Sequence, residues 1–332
     1  MVSQLSLAKT KLQVTALNGV SLVHLPACLT LSEAISLEET CQNLLLKQPT
    51  QIVLDCSQTI FIDSSGVGAL INILKPASKQ QTLVVLWSVN SRIRAALSLA
   101  LLNPFLIIDS ETEAVPLAAP HQPKVQLLTI HPSVDSRTKR LIDILGALLG
   151  LVITAVLFLP IAVAIKLNSP GPVLFSQIRC GLFGKTFRLW KFRSMIVNDE
   201  ELKVQVENQI KDPFFKNRHD LRITFIGRFL RQNSLDKLPQ FWNVLKGEMS
   251  LVGTRPPALD EVICYTIPMW QRLNVKPGLT GEWQTNGRSR IFNLEDVMNL
   301  DLSYQNKWSI LYDFQLLFKT LLIIFKRNND AK

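Results

Sequence analysis

Residues 144–165 read ILGALLGLVITAVLFLPIAVAI, a stretch of 22 residues without a single charge. As a helix, this stretch is roughly 33 Å long, enough for the hydrocarbon core of a bilayer. The sequence therefore predicts a membrane-embedded helix over about residues 141–167. This helix separates two dissimilar parts of the chain.

The flanking residues leave two arrangements of this helix open. Arg137, Lys139 and Arg140 precede it and Lys166 follows it, whereas a spanning helix normally has excess Lys and Arg only on its cytoplasmic side. Pro160 lies inside the stretch and can break a helix. The pattern fits a re-entrant hairpin that returns to the side from which it entered. It also fits a spanning helix with a kink at the proline.

Charge is distributed unevenly along the chain. The net charge is +10, with −1 on residues 1–120 and +11 on residues 121–332. A basic surface suits nucleic acid, anionic lipid or phosphorylated small molecules. Nucleic acid is the poorest candidate, because the basic residues flank the membrane segment and no known readout motif is present.

The N-terminal part alternates strands with helices. This alternation predicts a small mixed α/β domain over residues 10–115. The predicted strands are 21–25, 51–55 and 83–87, and the predicted helices are 32–47, 64–79 and 91–102. Residues 116–136 contain four prolines and are predicted to be a fairly stiff linker.

The compartment of the chain follows from its cysteines and its first residues. The five cysteines include no C-x-x-C pair and no Cys/His cluster with zinc spacing, which indicates free thiols in a reducing compartment. Residues 1–12 have no apolar segment of useful length for a signal peptide. We therefore expect the beginning of the chain to stay in the cytoplasm.

Residues 137–332 are predicted to be a membrane-associated domain. Residues 312–327 suit a helix lying on the membrane surface. Each of six aromatic residues is predicted to be in the core, with anchoring at the membrane interface as the alternative. These six residues are Phe214, Phe215, Phe225, Phe229, Trp242 and Trp283.

Residues 184–195 alternate apolar and basic side chains, which is typical of a strand with one cationic face. Lys191 and Arg193 are expected to project together. The alternative is a solvated strand edge protected by its charges.

Residues 228–257 contain a candidate nucleophile, Asp236. Ser234 is predicted to cap a helix, which places Asp236 in the first turn, where the helix dipole favours the ionised carboxylate. A carboxylate among Arg228, Arg231 and Arg255 can attack an electrophilic phosphorus while the arginines screen the anionic substrate. The alternative is an ordinary first-turn aspartate with surface arginines. Farther on, residues 275–288 predict a backbone-lined loop that ends in Arg288, a candidate phosphate clamp.

Residues 63–66 read Asp-Ser-Ser-Gly and follow a buried strand. Ser64 lies where a helix N-terminus favours an added phosphate, although Asp63 or Ser64 as a plain N-cap fits the local pattern better. Together with residues 52–55, this element resembles the STAS domain of anti-sigma-factor antagonists. The resemblance implies that Ser64 is a regulatory residue phosphorylated by a partner kinase, and that residues 10–115 bind an anti-sigma-like partner.

The C-terminal motifs, in their order, resemble the bacterial sugar transferase family over about residues 136–327. The motifs are Lys139-Arg140 with Asp143, Ser169-Pro170-Gly171-Pro172, Lys191-Phe192-Arg193-Ser194-Met195, Ser234-Leu235-Asp236 and Pro277-Gly278-Leu279-Thr280-Gly281. The resemblance implies an α+β chain with a STAS-like domain, a re-entrant membrane helix and a helix-rich α/β catalytic domain. It also implies a monotopic protein on the cytoplasmic face of the inner membrane.

The activity implied by this family is that of a polyprenyl-phosphate phosphoglycosyl transferase, which initiates exopolysaccharide synthesis. A nucleoside-diphosphate sugar binds with Mg²⁺, and Asp236 attacks the phosphorus next to the sugar. Polyprenyl phosphate then takes the phosphosugar from the enzyme. On this basis Asp236 and Lys237 are the expected catalytic residues, and Asp236 and Asp301 are the expected metal ligands. The expected phosphate-binding residues are Lys191, Arg193, Arg231, Arg255 and Arg288.

One position departs from the family. The family pairs its aspartate with a following glutamate, whereas residue 237 of this chain is a lysine. Lys237 cannot bind a metal or complete a capping box with Ser234, but as a point charge it can neutralise a substrate phosphate. The alternative to an active transferase is a catalytically impaired scaffold on the membrane that acts through partners of its STAS domain.

Overall fold

The computed structural model describes residues 12–17, 20–90, 93–94, 107–108, 130–196, 222–286 and 294–329. The chain divides into two compact units. Unit 1 contains Met1–Ile130 together with Phe183–Thr186 and Tyr265–Asn274. Unit 2 contains His131–Leu182, Phe187–Cys264 and Val275–Lys332.

Unit 1 is built on a five-stranded sheet in the order β1-β2-β4-β6-β7. The first pair of strands is antiparallel and the later pairs are parallel, which confirms the predicted mixed α/β domain. A separate parallel pair joins β3 to β5. The strands are β1 (Val14–Leu17), β2 (Val20–His24), β3 (Cys28–Leu29), β4 (Gln51–Asp55), β5 (Phe61–Ile62), β6 (Leu83–Trp87) and β7 (Ile107–Ile108).

The helices of unit 1 begin and end close to their predicted positions. Helix α1 is Leu31–Leu45, and helix α2 is Ser64–Lys79. Helix α2 buries Val67, Leu70 and Leu74, three of the residues whose helical spacing favoured it in the sequence. The predicted helix over 91–102 lies outside the described residues except for two helical positions, 93 and 94.

The predicted linker is described only from residue 130 onward. There the chain forms a short helix, α3 (Pro132–Asp135), instead of continuing as a stiff extended segment. Pro132 suits the first helical position, and the ring of His131 accepts a hydrogen bond from the Ser133 N–H. The linker over residues 116–136 stays a prediction, and its last residues form this short helix.

Unit 2 begins with one long apolar helix, α4 (Arg137–Asn168), which continues through Pro160. By length and composition this helix is able to cross a membrane. Its other faces expose large apolar side chains, whereas one face packs in the protein through residues three, four or seven apart. The buried side chains are Lys139, Asp143, Ala147, Gly150, Thr154, Ile161 and Ile165. Whether the helix returns to the side from which it entered stays a prediction.

The charged residues that precede the apolar stretch fix this helix to the rest of unit 2. The Lys139 ammonium lies 2.5 Å from the Asp313 carboxylate and donates to the Val252 carbonyl. Arg140 donates to the carbonyls of Val244 and Leu245 at 2.8 and 2.7 Å. These basic side chains therefore hold the helix to the protein.

The remaining elements of unit 2 are short apart from two C-terminal helices. Strand β8 is paired with β9, and β10 is parallel to β11. The strands are β8 (Leu174–Cys180), β9 (Thr186–Phe192), β10 (Ser250–Val252) and β11 (Gly278–Thr280). The helices are α5 (Phe225–Gln232), α6 (Gln240–Lys246), α7 (Leu259–Ile263), α9 (Glu282–Asn286), α10 (Leu294–Lys307) and α11 (Ile310–Asn329). Helix α8 (Ile267–Trp270) belongs to unit 1.

The prediction of core positions for the aromatic residues was wrong for three of them. Phe225, Phe229 and Trp242 are 80%, 55% and 49% exposed. Helix α11 also exposes Leu311, Phe314, Phe318 and Leu321. Sequence periodicity did not reveal this, because an apolar face turned to the core and one turned to lipid have the same spacing. Phe214 and Phe215 lie outside the described residues.

Candidate active site around Asp236

Asp236 lies in a 3₁₀ turn, Leu235–Lys237, between α5 and α6. Ser234 has left-handed backbone angles (φ 58°, ψ 16°), and its side chain makes no capping hydrogen bond. Ser234 thus precedes the turn and Asp236 lies in its first turn, as predicted, but the predicted side-chain cap is absent. A non-glycine residue in this conformation is strained, and such strain is often found at functional sites.

The Asp236 side chain is buried but not fully hydrogen-bonded. The residue is 7% exposed, and its Oδ1 has no hydrogen-bond partner in the part of the chain that the structure describes. A buried, unsatisfied oxygen costs free energy and calls for an explanation. A carboxylate oxygen held ready for a substrate provides one.

This carboxylate lies within electrostatic reach of Lys191, a lysine beside further cations. The pKa of Lys191 is lowered to about 7, mainly by burial and next by the nearby charge of Arg179. Asp236 raises the same pKa, whereas Arg231 and Lys237 lower it. Arg179, Asp236, Arg231 and Lys237 therefore all lie within electrostatic reach of Lys191, which makes a group of five charged residues. The sequence predicted four of them.

Arg179 is the residue that the sequence did not single out. It lies in β8, and burial lowers the pKa of its guanidinium to about 10, with a further contribution from Arg255. The guanidinium donates to the Pro256 carbonyl and to Gln177, while its Nε has no partner among the described residues. Arg179 lies in a strand without a recognisable motif, so the sequence gave no reason to choose it as a candidate site residue. Its burial beside other cations is what identifies it as a candidate.

The remaining predicted arginines differ in their surroundings. Arg231 donates from Nε to the Ser194 hydroxyl at 2.8 Å. Arg193 binds the carbonyls of Ser169 and Pro170, so its guanidinium fixes the turn that leaves α4 instead of projecting with Lys191. Arg288 lies outside the described residues.

Arg255 and Asp301 are linked by a hydrogen bond from the backbone of Arg255 to the side chain of Asp301. The Arg255 guanidinium contacts Glu261 at 2.8 Å and lies over the Trp283 ring at 5.7 Å. The Asp301 carboxylate is 1% exposed and accepts a hydrogen bond from the Arg255 N–H at 3.4 Å. Asp301 lies in α10 and remains a predicted metal ligand.

A family model described as bacterial sugar transferase matches residues 134–327. This match covers more than half of the chain and all of the cluster around Asp236. The chain belongs to the bacterial sugar transferase family. A second model, of the STAS domain, matches residues 11–114.

The curated relatives of this sugar transferase match its C-terminal part. The galactosyl transferase CpsE of Streptococcus agalactiae is 46% identical over 56% of this chain and 42% of its own length. The undecaprenyl-phosphate galactose phosphotransferase of Salmonella typhimurium is 37% identical over 62% of this chain and 45% of its own length. The uncharacterized sugar transferase EpsL of Bacillus subtilis is 40% identical over 55% of this chain and 85% of its own length. The chain thus spans less than half the length of the first two relatives.

The acidic side chains of this chain bear on the expected Mg²⁺. Within the described ranges, no three or more His, Cys, Asp or Glu side chains form a group able to hold a metal ion. Mg²⁺ is usually bound by one or two carboxylates together with substrate phosphates and water. The unpartnered Asp236 oxygen suits such a shared site, so the residues present fit an ion held mainly by its substrate.

Ser64, the regulatory residue predicted from the STAS resemblance, lies at the first position of α2 and is fully buried. Asp63 caps this helix by accepting a hydrogen bond from the Gly66 N–H at 2.9 Å, which confirms the capping interpretation. The Ser64 Oγ lies 2.6 Å from the Trp270 carbonyl and 2.6 Å from the Asn274 Oδ1. Its hydroxyl is therefore in contact with residues far along the chain.

Proposed function

We propose that this chain transfers a sugar-1-phosphate from a nucleoside-diphosphate sugar to polyprenyl phosphate at the cytoplasmic face of the inner membrane. The observation that carries the proposal is the buried Asp236 carboxylate, which has an oxygen without a partner among the described residues. This carboxylate lies within electrostatic reach of Lys191, on which Arg179, Arg231 and Lys237 also act. Membership of the family and the activities named for the relatives support the same reaction. The product would initiate exopolysaccharide synthesis.

The proposed reaction has two displacements at one phosphorus. First, an Asp236 oxygen attacks the phosphorus next to the sugar, and the bond to the oxygen of the leaving nucleoside monophosphate breaks. Then a phosphate oxygen of the polyprenyl carrier attacks the same phosphorus and releases the carboxylate. The product is a polyprenyl-diphospho-sugar, and Asp236 is regenerated.

The cations around Asp236 have separate parts in this proposal. Lys191, Arg179 and Arg231 stabilise negative charge on the phosphoryl oxygens, because they act in a buried site where such interactions are strong. Lys237 adds a further positive charge where the family has a glutamate. Bound Mg²⁺ would supply charge neutralisation of the diphosphate, with Asp236 and Asp301 as the proposed protein ligands.

The packing of α4 supports attachment to one side of the membrane. Near its start, Lys139 contacts Val252 and Asp313. Near its end, Ile165 packs in one cluster with Phe192 and Leu230. A helix that crossed the bilayer would draw these neighbouring elements, with their polar backbone and charges, into hydrocarbon, which is costly. A one-sided insertion with the exposed aromatic residues at the interface avoids that cost.

The test uses the purified full chain in nanodiscs with Mg²⁺, undecaprenyl phosphate and a panel of nucleoside-diphosphate sugars. We expect release of nucleoside monophosphate, and a phosphosugar adduct on Asp236, seen by mass spectrometry, when the lipid carrier is left out. Asp236→Asn should reduce release by at least about 10³-fold, because it removes the nucleophile. Asp296→Asn, an exposed first-turn aspartate of α10, is the matched control and should retain activity. Full activity of Asp236→Asn would refute the proposal.

The identity of residue 237 favours a second candidate, the membrane-docked scaffold. In that case the natural chain shows no turnover in the same assay, and Lys237→Glu restores it by returning the carboxylate of the family. Release of nucleoside monophosphate by the natural chain would exclude the scaffold.

A further inference from the structure

The face of α2 that begins at Ser64 is covered by a distant segment of the same chain. This segment, Tyr265–Asn274, lies within the residues that match the sugar transferase family, yet it packs in unit 1. It consists of α8 and a 3₁₀ turn, Gln271–Asn274. We refer to it as the docked segment.

Apolar contacts hold the docked segment against unit 1. Its side chains Tyr265, Ile267, Trp270 and Leu273 are each at most 2% exposed. The Trp270 ring lies directly over Gly68 of α2, so closely that a Cβ on this glycine would be 2.5 Å from the ring. The glycine thus leaves room for the indole, and the contact depends on its having no side chain.

Asn274 completes the contact at the helix N-terminus. Its Oδ1 accepts a hydrogen bond from the Ser64 N–H at 3.1 Å, and its side chain hydrogen-bonds to the Asp63 carboxylate. Because a backbone N–H only donates and a carboxylate only accepts, these two partners fix the orientation of the amide. The Ser64 Oγ thus faces two acceptors, the Asn274 Oδ1 and the Trp270 carbonyl, which share its single hydrogen.

We propose that the Ser64 hydroxyl locks the docked segment onto α2, so that a negative charge at Ser64 and docking of this segment exclude each other. An anionic group on Oγ removes the hydroxyl hydrogen that these two acceptors share and places its oxygens against both of them and the Asp63 carboxylate. Like charges and facing acceptors in a buried site repel strongly. Ser64 is also 0% exposed, so any modifying enzyme reaches it only after the segment has left.

The docked state has features of a contact that can open. The buried Trp270 Nε1 and Ser65 Oγ have no hydrogen-bond partner among the residues described, and each such group weakens the packed state. The segment also leads directly into Val275 in the core of unit 2 and then into β11. Loss of docking therefore frees the chain that enters the Pro277–Gly281 motif.

The test is hydrogen–deuterium exchange of the full chain in nanodiscs, read on peptides that cover the docked segment. Loss of one hydrogen bond speeds exchange by about five-fold when opening is local, and loss of several by about 30-fold. We expect about five-fold or more for Ser64→Ala and a larger increase for Ser64→Asp. Ser65→Ala is the matched control: it removes a neighbouring hydroxyl that has no hydrogen-bond partner among the described residues, and should leave exchange unchanged.

Cleavage by trypsin is a second measurement of whether the docked segment separates from α2. Arg272 is 0% exposed while the segment is docked, so cleavage after it should become rapid in Ser64→Asp and slow in Ser65→Ala. Asn274→Ala weakens the lock without changing α2 and should also increase exchange of the segment. In every variant the amides of β4 should stay protected, since the sheet is not part of the lock.

The proposal is overturned if Ser64→Asp and Asn274→Ala leave the segment as protected as in the natural chain. It is also overturned if β4 loses protection together with the segment, because the segment would then have no separate opening. Neither reading requires transferase activity, so this outcome is independent of the proposed reaction.

Discussion

The contact between Lys139 and Asp313 gives the sharpest stability prediction. The Lys139 ammonium lies 2.5 Å from the Asp313 carboxylate, and both side chains are nearly buried, at 8% and 11% exposure. The same carboxylate accepts hydrogen bonds from the Tyr304 hydroxyl at 2.8 Å and from the Trp308 indole at 3.2 Å. This network joins the start of α4 to α11.

We expect Lys139→Met to destabilise unit 2 by about 3–5 kcal/mol. Methionine fills much of the lysine volume, so the loss comes mainly from leaving a buried carboxylate without its charge partner. For a unit of this size, such a loss lowers the midpoint of thermal unfolding by roughly 10 °C. The double variant Lys139→Met/Asp313→Leu should recover most of this loss, because no unpaired charge remains buried.

The assay is thermal unfolding of the full chain in nanodiscs. Lys246→Met is the matched control: its ammonium lies 2.6 Å from Glu248, but its side chain is 47% exposed, and such pairs contribute about 0–1 kcal/mol. Equal midpoints for Lys139→Met and Lys246→Met would refute the reasoning. So would a double variant less stable than Lys139→Met alone, since the buried charge would not then be the cause.

Two further predictions concern pH. Burial and neighbouring cations lower the pKa of Lys191 to about 7. The kcat/KM of the proposed transfer should therefore fall as the pH rises through 7, because the ammonium loses its charge. Lys191→Arg should retain activity to higher pH, and identical pH profiles of the two proteins would contradict this role. Burial raises the pKa of Asp63 to about 6, so the folded chain keeps a proton that the unfolded chain loses near pH 4. The free energy of unfolding should therefore fall by about 3 kcal/mol between about pH 4 and pH 6 and stay lower above that range. Asp63→Asn, which retains a capping side chain, should remove this fall, as measured by thermal unfolding of the full chain over that range; a fall of the same size in the variant would assign it to another group.

Local sequence predicted much of the architecture. The uncharged stretch within α4, the strands Gln51–Asp55 and Leu83–Trp87 and the helix Ser64–Lys79 all follow from periodicity. Each depends on residues a few positions apart, and such spacing reports which face of an element is apolar. The sequence motifs are likewise sufficient to identify Asp236 as a candidate nucleophile.

The errors arose where a prediction needed to know what lies beside an element. The spacing of Phe225, Phe229 and Trp242 does not distinguish a face turned to protein from one turned to lipid. The serine before Leu235 fitted a cap by composition, but its backbone is left-handed. Arg193 was expected to project with Lys191, but its guanidinium contacts the backbone carbonyls of the turn that follows α4.

Sequence alone thus determined the elements and the residue types able to do chemistry. Only the tertiary structure determined their partners: Ser64 contacts a residue 210 positions away, and Lys139 pairs with one 174 positions away. The unpartnered oxygen of Asp236 is likewise known only from the tertiary structure, because the residues packed around it decide whether it has a hydrogen-bond partner. Periodicity encodes burial within an element, whereas pairing between distant residues is fixed only when the elements pack together.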